Sequence, residues 1–359
     1  MIGSRLKRAR DAAGLSLREL EAAIHTQVSA QAIGKYERDE MMPSSPVLLA
    51  LAKALHVSPE FLLSEREVAL TGVDFRKAPQ AGAKEERAVE ASVLDQVERY
   101  LELEELLPGV DNPWRALKGA AFNIHCIEDA EKAADALRQS WSLGIDPIPV
   151  LAELLEDKGV KVIALDLPSN VSGSKAFVRR PGKQDVPVIV VNQHHNGERQ
   201  RFTLAHELAH LVLRFDSLSD SEQEKAADRF AGAFLMASAM MLQLLGNHRT
   251  SISIGELAEL KKLFKVSIAS LVVRCSQLDV LSKAAYGRLW AHIRGLGWNG
   301  PASTEPSAFP PEVPQRMERM CMRAVTEGAI SEARAAELLN ISVREFDRRL
   351  TTPLMGQMG

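Results

Sequence analysis

Apolar residues recur at helical spacing along most of this chain and at strand spacing in one short region. The first helix carries Arg5, Lys7, Arg8 and Arg10 and ends near Gly14. Ser16-Leu-Arg-Glu19 is a capping box that opens a second helix with Leu17, Leu20 and Ile24 on its apolar face. After the polar turn His25-Thr-Gln-Val28, Ser29 caps a third helix through Ala32, Ile33 and Tyr36. Pro43 and Pro46 punctuate the chain, and Ser45 or Pro46 starts a fourth helix bearing Leu48, Leu49, Leu51, Ala52 and Leu55. Ser58-Pro59 opens a fifth with Phe61 and Leu62. Five short helices in so few residues predict a compact all-α unit.

Residues 64–90 are polar and broken by Gly72, Pro79 and Gly82, as a linker would be. They lead into a charged helix at Lys84–Leu107, with Val93, Val97, Leu101 and Leu106 on one side. The acidic run Glu102-Leu-Glu-Glu105 reads as a solvated face. Helical patterns resume at Ile127–Leu143 and Ile148–Lys158. β-Branched residues bounded by Gly, Pro and Asn predict strands at Val160–Leu165, Ser174–Val178 and Val186–Val191. Further helices follow, including Met240–Leu245. Gly300-Pro-Ala-Ser-Thr-Glu-Pro306 and Pro310-Pro311 separate a last region with helices at Val313–Glu327 and Ser331–Leu350. Within it, Ala336-Glu-Leu-Leu-Asn-Ile-Ser342 has the look of a second helix-turn-helix, although an accessory helical region is the plainer reading.

The chemistry is concentrated in His206-Glu207-Leu208-Ala209-His210. Two histidines four apart on a helix point to one side, so both imidazoles reach one metal ion. Glu207 lies close enough to take a proton from a water activated by that metal. This is the HExxH arrangement of zinc hydrolases. Phe202, Leu204, Ala205, Leu208, Ala209, Leu211 and Val212 make the helix apolar, so its polar side chains need partners. Zinc requires a third protein ligand. In Ser221-Glu-Gln-Glu-Lys-Ala-Ala-Asp228, Glu224 can ligate while Asp228, one turn on, accepts a hydrogen bond from the far nitrogen of a ligand histidine. Glu222 lacks such a partner and is the weaker candidate. His194 and His195 read as surface loop residues, with substrate contact or oxyanion stabilisation as the other possibility.

The 359 residues suffice for two or three domains, and 46% hydrophobic with 25% charged content is that of an ordinary soluble protein. No apolar run is long enough for a bilayer, and the N-terminus does not read as a signal peptide. Cys126, Cys275 and Cys321 are odd in number and far apart, which predicts a reducing, cytoplasmic setting without a cysteine metal site. A net charge of −3 supplies no global attraction to nucleic acid, so any DNA binding must be local.

Two stretches resemble known families. Leu15-Ser-Leu-Arg-Glu-Leu20, Val28-Ser-Ala-Gln-Ala-Ile-Gly-Lys-Tyr-Glu37, Pro43 and Leu51-Ala-Lys-Ala-Leu-His-Val-Ser58 resemble the Xre/Cro-type helix-turn-helix domain. The resemblance puts the N-terminal part of the third helix in the major groove, with Ser29, Ala30, Gln31 and Lys35 at the DNA. Gln31 would pair with adenine, Lys35 reach guanine or phosphate, and Ala30 touch a thymine methyl. Arg18 and the basic residues of the first helix would grip phosphates. The turn before the third helix is about two residues longer than the commonest form, and Asp39 stands where a glycine is usual. The domain holds eight Lys/Arg and eight Asp/Glu through residue 65, so dependence on a homodimer is expected.

Arg201-Phe-Thr-Leu-Ala-His-Glu-Leu-Ala-His-Leu211, Glu224-Lys-Ala-Ala-Asp-Arg-Phe-Ala231 with Phe234-Leu-Met236, and Glu256-Leu-Ala-Glu-Leu-Lys-Lys-Leu-Phe-Lys-Val-Ser267 resemble the ImmA/IrrE-type zinc metallopeptidases. Position for position this implies His206, His210 and Glu224 as zinc ligands and Glu207 as general base. Ala237 stands where the family often has Pro, and Asp228 where Asn is common. Many members work with an Xre-type regulator and cleave a repressor.

The expected architecture is mainly α with a small β-sheet. A helix-turn-helix domain at 1–66 precedes a linker and charged helix at 67–124. An α+β zincin-like peptidase domain at 125–298 and a C-terminal helical region at 299–359 follow. The expected function is a DNA-binding transcription regulator with a zinc endopeptidase. Its partners would be a double-stranded operator and a regulator or toxin protein, with no membrane. The alternative is a non-catalytic regulator, antitoxin-like, whose zinc site is structural or sensory.

Overall fold

The first five helices form where their apolar stripes require, and side-chain caps from Ser16, Ser29 and Ser58 open the second, third and fifth: α1 (Ile2–Ala12), α2 (Leu17–Ala23), α3 (Ala30–Glu37), α4 (Ser45–Ala54) and α5 (Pro59–Leu63). The computed structural model describes residues 2–63, 68–72, 83–110, 112–114, 122–300, 303–307 and 309–351. Ser16 and Glu19 close the reciprocal capping box, with Ser16 N donating to Glu19 Oε2 at 2.6 Å and Glu19 N to Ser16 Oγ at 3.3 Å. Leu6, Leu20, Ile33, Leu51 and Leu62 form a fully buried core. His25 and Thr26, both at φ 54°, accommodate the long turn between α2 and α3. Asp39 does adopt the left-handed conformation, at φ 56°, and its side chain accepts from Gly3 N at 2.8 Å. That bond ties the end of α3 to the start of α1 and offsets the strain a glycine would avoid.

The rest of the chain runs β1 (Ala69–Thr71), α6 (Ala83–Leu106), β2 (Phe122–Ile124), α7 (Asp129–Ser140), α8 (Leu151–Asp157), β3 (Lys161–Leu165), β4 (Gly173–Arg179), β5 (Val186–Asn192), α9 (Gly197–Val212), β6 (Leu213–Phe215), α10 (Asp220–Leu235), α11 (Ser238–Leu245), α12 (Ile254–Phe264), α13 (Ile268–Gln277), α14 (Lys283–Gly295), α15 (Arg316–Thr326), α16 (Glu332–Leu339) and α17 (Val343–Thr351). The architecture is mainly α with small sheets, as expected. Among the described residues no helix is long and apolar enough to cross a membrane.

One sheet has the order β1-β4-β5-β3, with β3 parallel to β5 and the other pairings antiparallel; β2 and β6 pair in parallel. Every position of β5 is buried, because both faces of the sheet are covered. Val188 and Val190 pack with Val93, Val97 and Leu101 of α6. Ile189 and Val191 pack with Leu204 and Leu208 of α9. Gly173 lets α9 lie close on β4, since a Cβ there would come within 2.6 Å of Thr203 Cγ2 and 2.5 Å of Val190 O.

Four features depart from the expectations above. The acidic run on α6 is solvated at Glu105 but not at Glu104, and Glu102 is half-buried. Glu104 is buried with Lys161 at 2.6 Å and Arg316 at 2.7 Å, and Glu102 pairs with Arg334. A helix built on amphipathic periodicity alone hides this, because the partners come from residues 161, 316 and 334. Nor do all the arginines of the first helix face DNA. Arg5 and Arg8 are buried against Glu98 of α6, and Arg10 pairs with Glu37 at 2.6 Å. The pattern at 331–350 is two helices rather than one, broken at Asn340, which sits at φ 54°. Within the stretch expected to join the domains, residues 69–71 add β1 to the sheet; most of the rest of that linker lies outside the described residues.

Candidate functional site

α9 crosses the sheet with its last two turns presenting His206, Glu207 and His210. Asn196 caps its start, accepting from Arg199 N at 2.9 Å. The wholly buried Arg201 anchors its middle, pairing with Glu312 and donating to Ile148 O. α10 packs alongside and brings Glu224 and Asp228. The capping box of α10 separates the two acidic candidates. Glu222 turns back to its own helix start, accepting from Ser219 N at 2.9 Å and Ser219 Oγ at 2.6 Å, whereas Glu224 faces the histidines.

The three donor groups form a triangle, with one donor atom of each within 4.8 Å of the others. His206 Nε2 and His210 Nε2 lie 3.2 Å apart; His206 Nε2 lies 3.4 Å from Glu224 Oε2, and His210 Nε2 lies 3.4 Å from the other oxygen, Oε1. An ion with ligands at about 2.0–2.1 Å in tetrahedral array has edges of roughly 3.3 Å. Donor groups at this spacing could supply three corners around one such ion, and these residues are the candidate metal-holding group among the described residues. Asp228 Oδ1 lies 2.8 Å from His206 Nδ1, which leaves Nε2 to face the cluster. Burial opposes a charge on His206, but the hydrogen bonds to Asp228 and Glu224 outweigh it and push the imidazole up to about 10. The site thus favours a cation. Burial raises the carboxyl of Glu207 above the usual range, against the opposing pull of His206 and His210.

Two neighbours of the cluster carried no sequence signal. Phe215 on β6 stands edge-on to His210, with ring centroids 5.7 Å apart. Lys175, on the face of β4 toward α9, donates to His210 O at 3.3 Å. Alternation along β4 could have placed Lys175 on that face, but nothing local shows what it meets. His194 binds Asp166 at 2.9 Å and His195 lies 3.4 Å from Ser169 O; both sit at the opposite end of α9 from the triangle.

Asp228 gives the first prediction. Asp228→Ala should lower metal affinity by about 10- to 100-fold, measured by chelator competition. Unchanged affinity would show that His206 needs no orienting partner.

In the N-terminal unit, Arg18, Ser29, Gln31 and Lys35 are exposed and Ala30 is half-exposed. Ser29 also caps α3, accepting from Ala32 N at 3.3 Å. Lys7, Arg18 and Lys35 are the cations this unit presents on α1 to α3 outside the ion pairs of Arg5, Arg8 and Arg10. Few available cations imply a shallow salt dependence.

Fold and cluster together define a helix-turn-helix protein with a metallopeptidase-type body. Residues 6–62 match the helix-turn-helix family model, and residues 155–276 match that of the IrrE N-terminal-like domain, peptidase family M78. The chain joins an Xre-type helix-turn-helix to an IrrE/ImmA-like domain. No curated protein matches it.

Proposed function

We propose that this chain is a DNA-binding transcription regulator carrying a zinc-dependent endopeptidase whose substrate is a regulatory protein. The observation that carries the reading is the triangle of His206, His210 and Glu224 with Glu207 beside it. When bound, Zn²⁺ supplies Lewis acidity, polarising a peptide carbonyl and acidifying the attacking water. Glu207 takes the proton from that water and passes it to the departing amine. Asp228 holds His206 in the tautomer that ligates. A structural site would need no such base, which favours the enzyme.

The sheet supports an extended polypeptide as substrate. β1 pairs with β4 only at 177–179, and the chain turns away at Gly72, φ 71°. Among the described residues, 173–176 then have no strand partner on that side, next to the carbonyl of His210. A peptide added there would form main-chain hydrogen bonds independent of its sequence. Free Cys126, Cys275 and Cys321 suit a reducing cytoplasm. The two activities in one chain argue for a regulatory substrate, either a partner protein or this chain's own segment at 64–90.

The test is to incubate wild type and Glu207→Gln with the product of the adjacent gene and map cuts by mass spectrometry. Specific cleavage by wild type alone is expected, with little action on casein. Rapid digestion of unrelated proteins would defeat the regulatory reading. If wild type and Glu207→Gln control the same promoter identically, the metal site is structural or sensory.

The DNA reading predicts that Gln31→Ala relaxes base preference at one position, costing about 1–3 kcal/mol at the preferred base. A homodimer is expected to bind paired half-sites. Unchanged operator affinity in Gln31→Ala with Lys35→Ala would remove α3 from the groove.

A further inference from the structure

The C-terminal helices form a unit that the proposed function leaves unused. α15, α16 and α17 share a core of Met320, Cys321, Ala324, Ala335, Ala336, Leu338 and Phe346. The turn between α16 and α17 is only Asn340-Ile341-Ser342. Asn340 is left-handed, Ile341 N donates to Ala336 O at 2.9 Å, and Ser342 Oγ caps α17 by accepting from Glu345 N at 3.1 Å. Two short helices packed across a three-residue turn over a third helix is helix-turn-helix construction.

α17 buries one side and leaves the other open. Phe346 is fully buried, while Val343, Arg344, Asp347, Arg348 and Thr351 share the exposed face. Arg344 has no partner among the described residues. Arg348 is held by Glu345 at 2.7 Å, and Arg349 by Glu345 and Glu318. We propose that α16 and α17 form a second DNA-reading element, with Val343, Arg344 and Asp347 presented to base edges. Each residue type has a match in the major groove: the valine a thymine methyl, the arginine a guanine, the aspartate a cytosine amino group. A protein partner fits less well. Interface centres are depleted of charge, and this face has three charged side chains around one apolar residue. A second copy of the face would set Arg344 and Arg348 against their own kind.

The mounting gives the two elements a fixed relation. On consecutive turns of α6, Glu98 pairs with Arg5 and Arg8 of α1, Arg99 donates to Leu338 O of α16 at 2.7 Å, and Glu102 pairs with Arg334. Both units are therefore held on one helix.

The experiment is selection from random duplex DNA with the full chain. Three proteins are compared: wild type, Gln31→Ala/Lys35→Ala and Arg344→Ala/Asp347→Ala. The wild type should enrich a motif of two elements. The first variant should lose one element and the second variant the other, each with a fall in affinity of at least about tenfold. Melting of the second variant should match wild type, because both side chains are exposed. If Arg344→Ala/Asp347→Ala enriches the wild-type motif with undiminished affinity, the proposal is overturned while the reading of α3 stands. If only this variant loses enrichment, α17 reads DNA and α3 does not. A wild type that enriches nothing overturns both.

Discussion

Glu207→Gln will keep about one zinc per chain and lose about 10²- to 10⁴-fold in peptide hydrolysis, the range general-base removal commonly costs. His210→Ala will lose the metal as well as the activity. The two outcomes differ because the side chains do different things in the same turn of α9. His210 is a corner of the donor triangle, 3.2 Å from His206 Nε2 and 3.4 Å from Glu224, so removing it leaves two protein donors. Glu207 lies outside the triangle, close enough for His206, His210 and Glu224 to act on its charge. Glutamine keeps its shape and removes its capacity to accept a proton. Metal content by plasma emission and cleavage of the adjacent regulator by mass spectrometry separate the two effects. Full zinc retention in His210→Ala would refute the ligand set. Undiminished cleavage by Glu207→Gln would refute the base.

Much of this site was legible because its parts lie on two helices with local spacing rules. His206 and His210 are one turn apart, and Glu224 and Asp228 are likewise one turn apart. The choice of Glu224 over Glu222 rested on that spacing, and the structure adds the complementary reason that Glu222 caps α10. What the chain pattern hid depends on long-range contacts. Lys175 and Phe215 meet the cluster from separate strands. Arg201, among the largest fully buried side chains, is matched by Glu312 from 111 residues away. The strands at 161–165, 173–179 and 186–192 were readable from β-branched runs, whereas β1, β2 and β6 have three residues each and acquire strand character only from their partners. The clearest misreading concerned the arginines of α1. Lys and Arg beside a recognition helix suggest phosphate contacts, but local sequence cannot show that Glu98 waits on another helix.

That pairing sets the last expected result: Glu98→Ala will release the helix-turn-helix unit from α6. Glu98 binds Arg5 through one carboxylate oxygen and Arg8 through the other, and the three side chains are 5%, 5% and 12% exposed. Phe61 packs beneath both guanidiniums, its ring centroid 5.0 and 5.3 Å from their Cζ atoms. Burial lowers the pKa of Arg8, so its charge persists at a cost that Glu98 offsets. Removing the carboxylate leaves two cations in a poorly hydrated seam, a change worth about 3–5 kcal/mol for a buried pair. Core residues such as Leu6, Leu20 and Ile33 lie within the N-terminal unit itself, so the loss falls on its attachment rather than its fold. Calorimetry should show an early, separate transition for that unit while the body melts near its usual temperature. Glu40→Ala is the control: its pair with Arg38 is about half exposed and screened by solvent, so its loss should leave the unit's transition where it is. Arg8→Ala should weaken the same attachment and leave the salt slope of DNA binding unchanged, because a guanidinium committed to Glu98 releases no counterion from DNA. A single unshifted transition in Glu98→Ala would mean the seam does not hold the unit. A salt slope that falls by about one in Arg8→Ala would return Arg8 to the phosphate backbone.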